Sequence, residues 1–228
     1  LYSKSGRRHA PPPPQMHRAG TSSLDAPPSS LRLPASVQGV SYVVIDIETS
    51  PQMVLQLGVL LCDASGREVA SHEQIWQLPR GQKISYYAWR AHRIDSRMVR
   101  QLGVPAPAEL TALSVLCDAC KHASIPIIFH NAGSDVACIN RTAAAFGLGR
   151  EVMATAEAFC TMRRAAAWRK PDGSAIWTDC NGRPKPPKNS ELYEHLFHQQ
   201  PVGTLHRALA DCRVTAAAYH EGESRSLW

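Results

Sequence analysis

From Ser41 onward the apolar residues follow two rhythms. Tyr42-Val43-Val44-Ile45-Asp46-Ile47-Glu48 is a nearly continuous β-branched run, which predicts a buried strand, and Met53 to Cys62 predicts a second beyond the breaker Pro51. Glu68 to Leu78 predicts a third strand and Ile125 to Phe129 a short buried one. Helical spacing occupies Ser96 to Leu102, Ala108 to His122, Asp135 to Phe146, Asn189 to His198 and Leu205 to Glu221. The last of these carries Leu205, Leu209, Cys212, Ala216 and Tyr219 on one stripe. Strands followed by helices around a further strand predict a mixed α/β domain over residues 41–222.

Residues 1–40 lack either rhythm. Pro11 to Pro14, Pro27, Pro28, Pro34 and many serines predict a disordered tail, and residues 223–228 a short C-terminal one. The N-terminal segment is poor in acids and contains Arg and Ser, a loose likeness to an organelle transit peptide. The chain begins on Leu1 rather than methionine, which equally fits a fragment.

Composition narrows the picture in two ways. The formal charge of +6 and pI near 9.1 favour polyanionic partners, yet the first 40 residues hold five Lys/Arg against one acid, so only +2 remains for residues 41–228. The charge that remains is local: residues 162–190 hold seven Lys/Arg against two acids, with Trp168, Trp177 and four prolines, and predict a basic loop. No apolar run approaches the ~18 residues of a membrane span. Seven cysteines, an odd number scattered without a secretory leader, predict free thiols and a reducing, intracellular compartment. Cys117 and Cys120 form a C-x-x-C, but they fall on the apolar stripe of a helix with no second pair, so they are expected to be core thiols rather than a zinc site.

Three segments carry candidate chemistry. Asp46 and Glu48 alternate along one strand, so their carboxylates leave the same face of the sheet, where paired anions call for a cation; taken alone, the pair reads first as two solvated acids at a strand end. Asp135 lies just beyond the short buried strand, where it can serve as a ligand or as a plain helix N-cap, with His130 and Asn131 supporting the turn. His206 and Asp211 are five residues apart, which on a continuous helix would point them ~140° away from each other. His206 is therefore expected in the loop before the helix, with Gly203 and Thr204 supplying the break and cap.

Taken together, Asp46-Ile47-Glu48-Thr49, His130-Asn131-Ala132-Gly133-Ser134-Asp135 and His206-Arg207-Ala208-Leu209-Ala210-Asp211 resemble, in order, the motifs of the DEDD exonucleases of the His-containing subclass. That family includes proofreading subunits, ribonuclease T and oligoribonuclease. Gln56-Leu57-Gly58, Ala91-His92-Arg93-Ile94 and Cys160-Thr161-Met162 are weaker likenesses, and the resemblance spans about residues 41 to 220. Ser134 replaces a usual Phe, Pro51 stands where Gly is common, and Gln56 replaces a frequent Glu.

The resemblance implies a ribonuclease-H-like, five-stranded mixed sheet flanked by helices. It also implies a 3′-to-5′ exonuclease that uses two Mg²⁺ or Mn²⁺ ions and releases nucleoside 5′-monophosphates. By that likeness Asp46 bridges the ions, Glu48 and Asp211 complete one site, Asp135 holds the other, and His206 is the general base. The expected partner is the 3′ end of a single strand, DNA or RNA, in a free-standing enzyme or beside a polymerase. Thr49, Asn131, Arg163, Arg169, Lys170 and Trp168 are candidate substrate contacts, whereas Tyr86, Tyr87 and Trp89 are expected to be packing residues. A non-catalytic binding module with the same fold is the competing reading; its expected mark is a missing acid, and all five motif residues are present here.

Overall fold

The computed structural model describes Leu33 and residues 36–149, 151–203 and 205–228, so most of the expected N-terminal tail and the expected Thr204 cap lie outside the described residues. Five strands, β1 (Tyr42–Ser50), β2 (Met53–Cys62), β3 (Glu68–Ile75), β4 (Ile127–Phe129) and β5 (Ala158–Cys160), form one sheet in the order β3-β2-β1-β4-β5. β1 to β3 are an antiparallel meander, and β4 and β5 add in parallel on the other side of β1. The helices are α1 (Tyr86–His92), α2 (Ser96–Leu102), α3 (Ala106–His122), α4 (Ala132–Ala145), α5 (Thr161–Ala165), α6 (Asn189–Phe197) and α7 (Ala208–Ser224).

Strand periodicity divides β1 between two layers. Val43, Ile45 and Ile47 enter the main core with Leu110, Leu113 and Leu116 of α3 and Val136 and Ile139 of α4. Tyr42 and Val44 face the other way, onto Cys212, Ala216 and Tyr219 of α7. Each fully buried Leu or Ile contributes on the order of 1.5–3 kcal/mol, so the two layers fix which face each β1 residue takes. Asp46 and Glu48 share the parity of Val44 and therefore point to the α7 side.

Several boundaries differ from expectation. The third strand stops at Ile75, after which Trp76 makes a single bridge to Val104. α4 begins three residues before Asp135, with Asn131 at its N-cap, so Asp135 lies in the first turn and is not the cap. α7 starts at Ala208 rather than Leu205. The packed region also passes both expected ends: Leu33 is buried against the main core with Val37 and Val40 beside it, and Trp228 packs on Phe159 and donates its indole N–H to the Tyr219 carbonyl at 3.0 Å. α1 was not expected as a helix. Cys117 and Cys120 are buried free thiols, as are most of the seven cysteines, and no helix among the described residues is long and apolar enough to cross a membrane.

Candidate active site

The site forms where β1 runs out. A bulge between Glu48 and Thr49 ends the regular pairing with β2, re-aiming the chain just past the two acids. Asp46 pairs with Gly58 and Glu48 with Gln56 on β2. Gly58 has no side chain for a reason: a Cβ there would lie 2.5 Å from the Ala208 carbonyl carbon and 2.6 Å from the Leu209 nitrogen. The first turn of α7 therefore rests directly on β2, beside Asp46.

That helix start carries no side-chain cap of its own, because its N-cap is Arg207. The strands supply the missing acceptors instead: Ala208 N–H donates to Gln56 Oε1 at 3.2 Å, and Leu209 N–H donates to Glu73 Oε1 at 3.1 Å. Glu73 also accepts from the Arg207 guanidinium at 3.1 Å. Asp211 reaches back from the first turn and accepts the His206 N–H at 2.7 Å. His206 precedes the helix with φ +66°, a left-handed conformation that turns its exposed ring back toward the acids.

As a result Glu48, His206 and Asp211 each offer a ligand atom, all within 4.8 Å of one another. Asp46 and Asp135 complete the cluster electrostatically. Burial, then Asp135, Asp211 and Glu48, hold the Asp46 carboxyl well above its usual range. Burial and the Asp211 and Asp135 charges push Glu48 up to about 8, against a lowering by Arg207. Burial raises Asp135 to about 7 and also raises Asp211, the latter opposed by the His206 N–H. Four raised carboxyls, two of them also held up by the charges of the others, are a poor resting arrangement near neutral pH and a good one for a cation. Their oxygens are hard donors of the kind that select Mg²⁺ or Mn²⁺.

Neighbouring residues brace this arrangement. His130 is buried at the end of β4, its Nδ1 meeting the Thr161 hydroxyl at 3.0 Å and its Nε2 donating to the Pro187 carbonyl at 3.0 Å. Burial lowers its pKa to about 4, so the ring is neutral. It thus ties the end of the basic loop to the second motif. Asn189 donates to the Asp211 carbonyl at 3.2 Å and to the Thr215 hydroxyl at 3.0 Å. His92 Nε2 donates to the Thr49 carbonyl at 3.3 Å, and burial with the nearby His206 lowers its pKa.

The remaining candidates separate. Thr49 and Asn131 are half-buried at the rim, the first through its carbonyl and the second through its N-cap carbonyl, which accepts from Asp135 N–H at 3.1 Å. Arg163, Arg169 and Lys170 are exposed, with Arg169 donating to the Ala166 and Trp168 carbonyls. Trp168 is half-buried in a ring cluster, 5.2 Å from Trp228, 5.9 Å from Trp177 and 6.0 Å from His195. The expectation for the other aromatics is corrected: Tyr86, Tyr87 and Trp89 are 64%, 82% and 36% exposed, because α1 buries only His92 and turns its rings outward. Gln56 and Gly58 lay within a weaker motif likeness, whereas Glu73, an acid in a half-buried strand, gave no sequence signal.

No protein-family model and no curated protein sequence matches the chain. Solved structures share its fold. The nuclease domain of 3′hExo, a DEDDh family member, bound to rAMP, aligns with 82% of this chain and 93% of its own at TM-score 0.59 and 14% identity. S. pombe Pop2p, in a Mg²⁺- and Mn²⁺-bound form, aligns with 83% and 85% at TM-score 0.56 and 13% identity. E. coli Exonuclease I in complex with a dT13 oligonucleotide gives TM-score 0.60 and 16% identity over 81% of this chain, but only 41% of its own. The fold is the ribonuclease-H-like fold of these nucleases.

Proposed function

We propose that this chain is a metal-dependent 3′-to-5′ exonuclease of the DEDDh type that hydrolyses phosphodiester bonds at single-stranded 3′ ends and releases nucleoside 5′-monophosphates. The observation that carries the reading is the meeting of four mutually repelling carboxyls, from β1, α4 and α7, with one exposed imidazole. Asp46, Glu48, Asp135 and Asp211 would hold two divalent ions. Such a pair stabilises the attacking and leaving oxygens of an in-line displacement at phosphorus.

The chain's own part is positional and acid–base. His206, held by its backbone bond to Asp211, presents an exposed ring to take the proton of the attacking water, and imidazole is the side chain most often used as a general base. Gln56, Glu73 and Gly58 seat the first turn of α7, which carries Asp211 and begins just after His206.

The test is degradation of matched DNA and RNA single strands, labelled at either end, by the purified protein with Mg²⁺ or with EDTA. Mononucleotides released from the 3′ end only with the cation are expected, and Asp46→Asn should abolish them. Strand binding without Mg²⁺-dependent turnover would replace this reading with the binding-module one.

A further inference from the structure

We infer that the outward aromatic face of α1 is a stacking platform for bases of the substrate strand upstream of its 3′ end, an inference that rests on the exonuclease reading. α1 is inverted relative to an ordinary surface helix: it buries His92 and exposes Tyr86, Tyr87 and Trp89. Tyr86 lies 5.9 Å from Tyr87 and 5.8 Å from Trp89, so the three rings form one patch, and Arg93 sits 4.9 Å over Trp89. Contiguous exposed aromatic surface of this kind marks a place where something docks.

Both ends of the helix are fastened to the end of β1. The Ser85 N–H donates to the buried Ser50 hydroxyl at 2.8 Å, and His92 donates to the Thr49 carbonyl at 3.3 Å, immediately after Glu48. The platform is thereby held beside the carboxylates. Tyr86 and Tyr87 open the helix while His92 closes it, about 9 Å further along the axis at 1.5 Å per residue. The tyrosine end is tied at Ser50, one residue further from Glu48 than the His92 end at Thr49, which suits bases upstream of the bond being cut.

Charge selects the occupant. Residues 79–94 contain Arg80, Lys83, Arg90 and Arg93 and no acid. The next acid, Asp95, turns its carboxylate to the Met98 N–H at 2.8 Å as the cap of α2. Cations interleaved with exposed rings fit a phosphodiester strand with unpaired bases, since every base has a face to stack and every step a phosphate to neutralise.

The test is binding of the full chain, in EDTA at low salt, to a fluorescently labelled oligodeoxythymidylate of about twelve nucleotides and to an abasic strand of equal length, followed by anisotropy. The wild-type protein should prefer the base-bearing strand. A Tyr86→Ala, Tyr87→Ala variant should lose that preference by about tenfold or more while its affinity for the abasic strand changes less than about twofold. An equal loss on both strands, no loss, or no initial preference would overturn the inference. So would unchanged strand affinity with altered self-association in sedimentation, which would assign the face to a second copy of the chain. Because no cleavage is needed, a protein that stacks bases on these tyrosines yet never hydrolyses the strand would sink the exonuclease reading and leave the platform standing.

Discussion

His206 and Asp211 meet through backbone rather than side chain: the His206 N–H donates to Asp211 Oδ2 at 2.7 Å, while the His206 ring stays exposed beside Glu48. His206 takes φ +66°, and the residue before the helix folds back over its first turn. The imidazole is consequently oriented by the same acid that faces the cation site, while its ring stays exposed.

This separates proton transfer from ion binding. His206→Asn, chosen because Asn tolerates left-handed backbone better than most residues, should lower kcat by roughly 10² to 10⁴ and leave Mg²⁺ affinity nearly unchanged. Steady-state kinetics paired with calorimetric Mg²⁺ titration reads both quantities. A parallel collapse of Mg²⁺ affinity would make His206 a ligand.

The carboxyl cluster should give the cation-free protein an inverted pH profile. Folded-state values of about 8 for Glu48 and about 7 for Asp135 lie above those of the unfolded chain, so their protonated forms favour the fold. Their contribution is fully present below about pH 4 and is lost as pH rises through 7 to 8. Thermal melts in EDTA should therefore show Tm falling from pH 5 to pH 8, and Mg²⁺ should raise Tm more at pH 8 than at pH 5. Asp46→Asn should flatten the EDTA profile by removing one repelling charge. A Tm in EDTA that rises across this range would contradict the coupling.

Gly58 gives a steric test of how α7 is seated. A methyl group at this position meets Ala208 backbone at 2.5 Å, and backbone cannot rotate away as a side-chain end can. Gly58→Ala should cost about 1–3 kcal/mol in urea unfolding, as other overpacked sites do, and should reduce kcat well beyond what that loss explains because Asp211 and His206 move together. Wild-type activity in a destabilised Gly58→Ala protein would mean the site follows the helix less tightly than the contact requires.

What the sequence made legible follows from which interactions are local. β2 and α2 have the predicted limits because Pro51, Asp95 and Gly103 are local stops, and the three motifs stood out through their joint resemblance to a known family. α7 began three residues later than periodicity predicted, since Gln56 and Glu73, 152 and 136 residues away in the chain, supply the acceptors at Ala208 and Leu209. No short-range pattern contains such a cap. The aromatic residues changed places for a similar reason. Tyr86 and Tyr87 look like core residues by type, but α1 is oriented by Ser50 and His92, whereas Trp168 in its polar loop is covered by Trp228 from the end of the chain.

The exposed cations of the basic segment should hold the strand without taking part in cleavage. Arg163 and Lys170 are both exposed and outside the carboxylate cluster, yet their segment is tied to the site through the His130–Pro187 and Asn189–Asp211 bonds. Arg169 is less suitable as a probe because its guanidinium bonds the Ala166 and Trp168 carbonyls, so removing it would disturb the loop itself. For a single strand each neutralised phosphate adds ~0.7 to the slope of log affinity against log salt, so an Arg163→Ala, Lys170→Ala variant should flatten that slope by ~1.4. KM for a long strand should rise while kcat holds, the pattern of binding lost equally from ground and transition states. Salt titrations of affinity and of KM provide the measurement, and a slope unchanged from wild type would leave these two residues as solvated surface charges.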